Sequence, residues 1–227
     1  MVRTDLTGIK TIIWDLDGTL LDSFGLYIDI LREVLPRHDK AVPVEEVLQK
    51  NYHGSLDDAI SAALGGLDEA ELRPIVIDFL EEQDSHYEII EGHLFKDAED
   101  LANRAHTAGI RQILVTNRNH AGHFRASPRN IVANSELKNY IDLIICGDDS
   151  EHRKPKPEVL GDFKDIYVPE ETLVIGDQHV DAEFAYNLGT SAVLVNRNGD
   201  NPPHLDKLNH DWQSHVALVK SLDDVRL

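Results

Sequence analysis

The chain has 227 residues, with 22 Lys and Arg against 41 Asp and Glu and a formal charge of −19 with histidine neutral. That balance excludes a generally basic, phosphate-coating nucleic-acid binder. Its 41% hydrophobic and 28% charged residues exclude a disordered chain, and its single cysteine, Cys146, excludes an intramolecular disulfide scaffold.

The first ten residues lack the apolar core of an export signal, and nowhere do about 18 apolar residues run together as a bilayer-spanning helix requires. A cytoplasmic protein without membrane partners is therefore expected. Residues 9–14 are the first apolar, β-branched run, of strand length. Beyond them, 24–35, 44–49, 56–64 and 75–89 suit helical periodicity, punctuated by Pro36, Pro43, Gly65-Gly66 and Pro74. A helix is expected at 98–108, stopped by Gly109. Further strand-sized runs follow at 112–116, 141–146, 172–175 and 191–196, with a helix at 181–188 stopped by Gly189. These runs are nearly continuous rather than alternating, as in strands buried on both faces of a parallel sheet. Strand and helix alternating through short loops predicts an α/β fold, a Rossmann-like doubly wound parallel sheet. The long gap after the first strand predicts an inserted α-helical domain at 23–91, with the sheet domain formed by 1–22 and 92–227.

Charge is spread unevenly along this plan. Residues 68–100 hold twelve acids and two bases, whereas 101–138 hold six Arg and Lys and one acid, Glu136. The acidic run reads as a solvated helical face; the basic one surrounds the end of a predicted strand.

Four strand-end segments carry chemistry. The first strand ends Asp15-Leu16-Asp17-Gly18-Thr19, and carboxylates at i and i+2 of an extended chain point the same way. They lie at the carboxyl edge of the sheet, where open α/β folds bind ligands. Two carboxylates brought together repel unless a cation or a shared proton relieves them. The second strand ends Val115-Thr116-Asn117, offering a hydroxyl and an amide at the same edge. After the third comes Arg153-Lys154-Pro155-Lys156-Pro157, and after the fourth Gly176-Asp177-Gln178-His179-Val180-Asp181.

In this order the segments resemble those of the haloacid dehalogenase-like (HAD) hydrolase superfamily. The similarity is greatest to its phosphatases with a helical cap, of the phosphoglycolate phosphatase-like kind, and covers essentially the whole chain. The resemblance implies that Asp15 is the nucleophile and Asp17 the general acid and base. Thr116 and the amide of Asn117 would bind phosphate together with Lys154. Mg²⁺ would be held by Asp15, the Asp17 carbonyl and Asp177, with Asp181 orienting its waters or Lys154. Lys154 is preferred to Lys156 because the family's lysine precedes the first proline. Gln178 and His179 depart from the pattern, which usually has a small hydroxyl residue after the acid.

The implied activity is Mg²⁺-dependent hydrolysis of a small phosphorylated metabolite through an aspartyl-phosphate. The alternatives are a phosphomutase of the β-phosphoglucomutase-like type, against which Thr19 speaks, and a non-catalytic phosphate-binding protein. Arg32, Arg37, Lys50, His53 and Ser55 are the cap's polar candidates for the leaving group. Arg118 reads as a surface arginine, with a supplement to the phosphate site as the alternative, and Cys146 as a buried small hydrophobe. His120 and His123 are too few ligands for zinc.

Overall fold

The computed structural model describes residues 7–52, 56–86, 93–120, 126–197, 205, 208 and 211–226. Six strands among these residues form one sheet: β1 (Thr11–Trp14), β2 (Arg111–Val115), β3 (Leu143–Ile145), β4 (Thr172–Gly176), β5 (Ser191–Val195) and β6 (Val216–Val219). Their order is β3-β2-β1-β4-β5-β6, every neighbouring pair parallel. β1 is central, and its side chains are buried on both faces, which is why Thr-Ile-Ile-Trp has no polar alternation beyond its first residue. The chain leaves β1 toward β2 on one side and later returns to β4 on the other. The crevice between the carboxyl ends of β1 and β4 is therefore a topological switch point, the place where such sheets bind ligands.

Among the described residues seven α-helices accompany the strands: α1 (Ser23–Val34), α2 (Glu45–Asn51), α3 (Leu56–Ala63), α4 (Glu69–His86), α5 (Lys96–Thr107), α6 (Pro128–Ala133) and α7 (His179–Leu188). In α7 the buried residues Asp181, Ala182, Phe184, Ala185 and Leu188 follow helical spacing, and Gly189 ends the helix in the left-handed conformation (φ 73°). Phe184, Ala185 and Leu188 pack with Ile13, Ile113, Val174 and Leu194 of the strands into one apolar core. Each such fully buried aliphatic side chain contributes roughly 1.5–3 kcal/mol. α5 buries Ala98, Leu101, Ala102 and Ala105. Gln112 is wholly buried yet satisfied: it accepts from Trp14 Nε1 (3.0 Å) and donates to the Ala102 carbonyl (2.8 Å).

The chain divides into two compact units. One contains the described residues up to Leu21, from Leu94 to His120, and from Ser127 onward; the other contains Asp22–His93 and Ala126. The second unit has its own core, where Leu26, Ile30 and Leu31 of α1 are buried, as are Ile60 of α3 and Ile75 and Phe79 of α4. The Tyr27 ring lies tilted against those of Tyr52 (5.0 Å) and Phe79 (5.7 Å).

Three elements differ from the sequence expectation. β6 was not anticipated, because it is an edge strand with Leu218 turned to solvent, preceded by a long polar segment. β3 is only three residues long, and only its last, Ile145, is fully buried. Pro74 does not punctuate: it lies inside α4, where burial of Ile75 and Phe79 one turn apart offsets the lost backbone bond. The part of the expected helix at 87–89 lies outside the described residues.

Candidate active site

The turn after β1 is built by its own backbone. Leu20 and Leu21 N–H both donate to the Leu16 carbonyl (2.9 Å each), and Gly18 N–H donates to the Leu21 carbonyl (2.8 Å). Gly18 is left-handed (φ 78°), and a Cβ there would lie 2.2 Å from Asp177 Oδ2. Position 18 must therefore be glycine twice over, for its conformation and for the approach of the turn to the end of β4. The turn is also braced from a distance. Arg197, beyond β5, donates to the Thr19 carbonyl (3.2 Å) and to Asp97 (2.6 Å), with its guanidinium 3.7 Å from the Phe95 ring centre. No sequence signal marked Arg197, whose partners are far away along the chain.

At the crevice four side chains meet. Lys154 Nζ donates to Asp15 Oδ1 (2.5 Å) and to Asp181 Oδ1 (2.7 Å), and the lysine side chain is 2% exposed. Asp15, Asp177 and Asp181 each bring a carboxylate oxygen within 4.8 Å of the others. Lys156 is exposed. Gln178 explains its departure from the family pattern. Its N–H donates to Asp181 Oδ2 (3.2 Å) at the start of α7, and its side-chain amide donates to Asp177 Oδ2 (2.9 Å). Both oxygens of Asp181 are thus committed within the protein.

Three carboxylates, two of them buried and Asp177 partly so, face one ammonium, and the electrostatics show the deficit. Burial pushes the Asp15 carboxyl up to about 7; Lys154 opposes this, while the charges of Asp181 and Asp17 add to it. Burial, with the charges of Asp15 and Asp181, pushes Asp177 well above the usual carboxylate range. Burial opposes charge on Lys154, yet Asp15 and Asp181 outweigh it and hold the ammonium above the ordinary lysine value. Asp177 Oδ1 is buried without a hydrogen-bond partner among the described residues. An orphaned anionic acceptor in a net-negative pocket is costly unless a cation completes it, so this all-oxygen donor set could hold a hard metal ion.

The remaining predicted residues have distinct surroundings. Thr116 is buried at the end of β2, its Oγ1 accepting from Arg118 N–H (3.1 Å). The Asn117 side chain is not free for phosphate. Its Oδ1 accepts from Lys154 N–H (2.9 Å) and its Nδ2 donates to the Lys154 carbonyl (3.2 Å), so it brackets the lysine's backbone and leaves only its main-chain N–H for a ligand. Asp17 stands apart from the buried cluster. Arg118 Nε donates to its Oδ2 (3.1 Å) and Arg118 Nη2 donates to its Oδ1. The expectation of a surface arginine is corrected, since Arg118 is partly buried and paired across 101 positions of sequence. Cys146 is buried as expected, and burial pushes its thiol up to about 11 despite nearby Arg129. In the second unit Arg32 pairs with Asp29 (3.0 Å) and Arg37 with Glu82 (2.6 Å), and Lys50 is exposed. His53, Ser55 and His123 lie outside the described residues.

A parallel sheet with acids from β1 and β4 and a buried lysine at its switch point defines a class of α/β hydrolytic enzymes with an acidic crevice. The haloacid dehalogenase-like hydrolase family model matches residues 9–189, and the chain belongs to that family. It is 28% identical to pyrophosphatase PpaX of Bacillus cereus (strain G9842) over 192 residues, 82% of this chain and 83% of that one. In fold it is similar to a Thermotoga maritima protein assigned as a beta-phosphoglucomutase (TM-score 0.72, 21% identity, 96% and 97% of the two chains). It is likewise similar to the Bacillus subtilis HAD hydrolase YfnB, solved bound to magnesium (TM-score 0.69, 18% identity, 95% and 96%). No helix among the described residues is long and apolar enough to cross a membrane.

Proposed function

We propose that the protein is a Mg²⁺-dependent phosphatase that hydrolyses a small phosphorylated metabolite through an aspartyl-phosphate on Asp15. The observation that carries this reading is the Lys154 ammonium bonded to both Asp15 and Asp181 beside the orphaned oxygen of Asp177. Lys154 neutralises Asp15 and turns its carboxylate toward an incoming phosphoryl group, whose oxygens then share the ammonium. A carboxylate oxygen of Asp15 attacks phosphorus as the bond to the leaving oxygen breaks, and Asp17 gives that oxygen a proton. In the second step Asp17 takes a proton from water as the water oxygen attacks phosphorus. The Asp15–phosphorus bond then breaks and phosphate leaves. Thr116 Oγ1 and the main-chain N–H of Asn117 would hold the phosphoryl oxygens in line.

Asp15, the Asp17 carbonyl and Asp177 would hold Mg²⁺, which supplies charge neutralisation for the phosphoryl oxygens. Asp181 and Gln178 are the supports of that set, orienting Lys154 and Asp177. The division into a core, 1–22 and 92–227, and a helical cap, 23–91, belongs to the same proposal. So does a cytoplasmic setting.

The test is a phosphate-release screen over sugar phosphates, 2-phosphoglycolate, nucleotides, pyrophosphate and p-nitrophenyl phosphate, with Mg²⁺ and with chelator. Release that chelator abolishes is expected, and release untouched by chelator would remove the metal from the reading. Asp15→Asn should lose about 10³-fold or more in rate in a chain that still melts cooperatively. Isomerisation of a hexose 1-phosphate faster than its hydrolysis would replace the phosphatase by a mutase.

A further inference from the structure

The Arg118–Asp17 pair opposes the reaction just described. Both carboxylate oxygens of Asp17 accept from the guanidinium, and a carboxyl group held that way is turned to the arginine rather than to a leaving group. Something must take Arg118 away before Asp17 can act.

The pair is built to be exchanged. Its side chains are 34% exposed for Asp17 and 23% for Arg118, whereas the Lys154 side chain is 2% exposed. Small solutes can therefore reach the guanidinium. The backbone beneath Arg118 is fixed: its N–H donates to Thr116 Oγ1 (3.1 Å) and its carbonyl accepts from Gly147 N–H (2.8 Å). Arg153 holds the same loop at the Asn117 carbonyl (3.3 Å) and Asn119 Oδ1 (2.7 Å). A Cβ on Gly147 would come within 2.3 Å of the Asn117 carbonyl oxygen, so the loop is packed against the end of β3. Release of Asp17 is then a movement of the arginine side chain, with the loop left in place.

A guanidinium fork binds a phosphate or a second carboxylate with the geometry it uses for Asp17. We infer that Arg118 reads the leaving group: the preferred substrates carry a second anion, carboxylate or phosphate, beside the transferred phosphoryl, and that anion takes the guanidinium from Asp17. The inference rests on the phosphatase reading above and names its substrate class. Because Asp17 protonates the leaving oxygen, the guanidinium that Asp17 holds lies close to that oxygen. The second anion must therefore sit within a few bonds of it, as in 2-phosphoglycolate, or be the leaving group itself, as in pyrophosphate. A substrate with a neutral alcohol has nothing to offer Arg118 and leaves Asp17 engaged.

The experiment compares kcat/KM of the full chain with Mg²⁺ for 2-phosphoglycolate, pyrophosphate, ethyl phosphate and p-nitrophenyl phosphate. One of the first two should exceed ethyl phosphate by about 100-fold, the scale at which a site built to pair a polar group rejects an analogue lacking it. Preference for 2-phosphoglycolate alone makes the second anion a carboxylate, and preference for pyrophosphate alone makes it a phosphate. In Arg118→Gln that ratio should collapse by about 30-fold or more, and Arg118→Lys, which keeps the charge and loses the fork, should fall between. The ratio is read within each variant, so a loss of folded protein does not mimic the effect. Wild-type protein that hydrolyses all four without preference, or an Arg118→Gln ratio equal to wild type, overturns the inference while leaving the phosphatase intact. Absence of release from all four takes down the phosphatase reading and the inference with it.

Discussion

Two acidic clusters of this chain look alike in composition and differ in kind. In the sheet unit Asp15, Asp177 and Asp181 converge on Lys154; in the helical unit Glu33, Glu82 and His86 converge near Arg37. The second cluster is satisfied by its own partners, with Arg37 on Glu82 at 2.6 Å and His86 on Glu33 at 3.1 Å, and Arg37 and Glu33 are each about half exposed to water. The first is buried, carries more negative charge than its lysine balances, and leaves Asp177 Oδ1 without a partner. Acids in water need no cation, whereas acids out of water with a surplus charge do. Burial and imbalance, rather than the number of carboxylates, separate a candidate metal centre from a solvated surface.

The largest expected break in that contrast is Lys154→Met. Removing one partner from a buried ionic cluster strands the remaining charges, and a loss of about 3–5 kcal/mol in denaturant unfolding is expected. A loss below 1 kcal/mol would mean that the cluster is wetter than its burial indicates. Next is Asp177→Asn. Added Mg²⁺ should raise the melting temperature of the wild-type chain, because an ion that binds only the folded state stabilises it. In the variant the apparent Mg²⁺ affinity should be at least about 10-fold weaker. An undiminished shift would place the ion elsewhere.

A third variant probes a partly buried acid whose charge is matched by its own partners. Burial opposes ionisation of Asp97, but bonds from Arg197, Leu222 N–H and Ser221 outweigh it and hold its carboxyl below the usual value of 3.8. Asp97→Asn should cost about 1.5–3 kcal/mol at neutral pH, the scale of hydrogen bonds to a charged group. A carboxyl lowered on folding stabilises the native state above its unfolded pKa, and loses that contribution as pH falls through the folded one. The difference between wild type and variant should therefore be flat from pH 7 to about 5 and shrink below pH 3.8. A difference that grows in acid would contradict the assignment. The smallest effect belongs to the helical cluster: Glu82→Gln removes an ion pair whose Arg37 is half exposed and should cost about 0–1 kcal/mol, with no change in the Mg²⁺-induced melting shift.

Much of this was legible before any coordinates. β1, β4 and β5 announce themselves because an interior parallel strand must be apolar on both faces, as Ile12, Ile13 and Trp14 are. β6 and β3, at the two edges of the sheet, carry a weaker signal for the reason that makes them edges: one side of each has no strand to pair with, and Leu218 faces solvent. Pro74 misled because local propensity was read where tertiary burial of Ile75 and Phe79 prevails. Asn117 was read from its place after Thr116, and nothing local could say that its side chain would be spent on the backbone of Lys154.

The sequence by itself determined the fold class, the sheet edge at which acids gather, and the membership that the order of its four segments implied, because strand periodicity and turn chemistry are local. Only the tertiary structure decided which charges face which. It joined Lys154 to Asp15 and Asp181, orphaned one oxygen of Asp177, and put Arg118 on Asp17. Each of those pairings crosses distant segments, and their energies depend on burial and distance, quantities that exist only once the chain has folded.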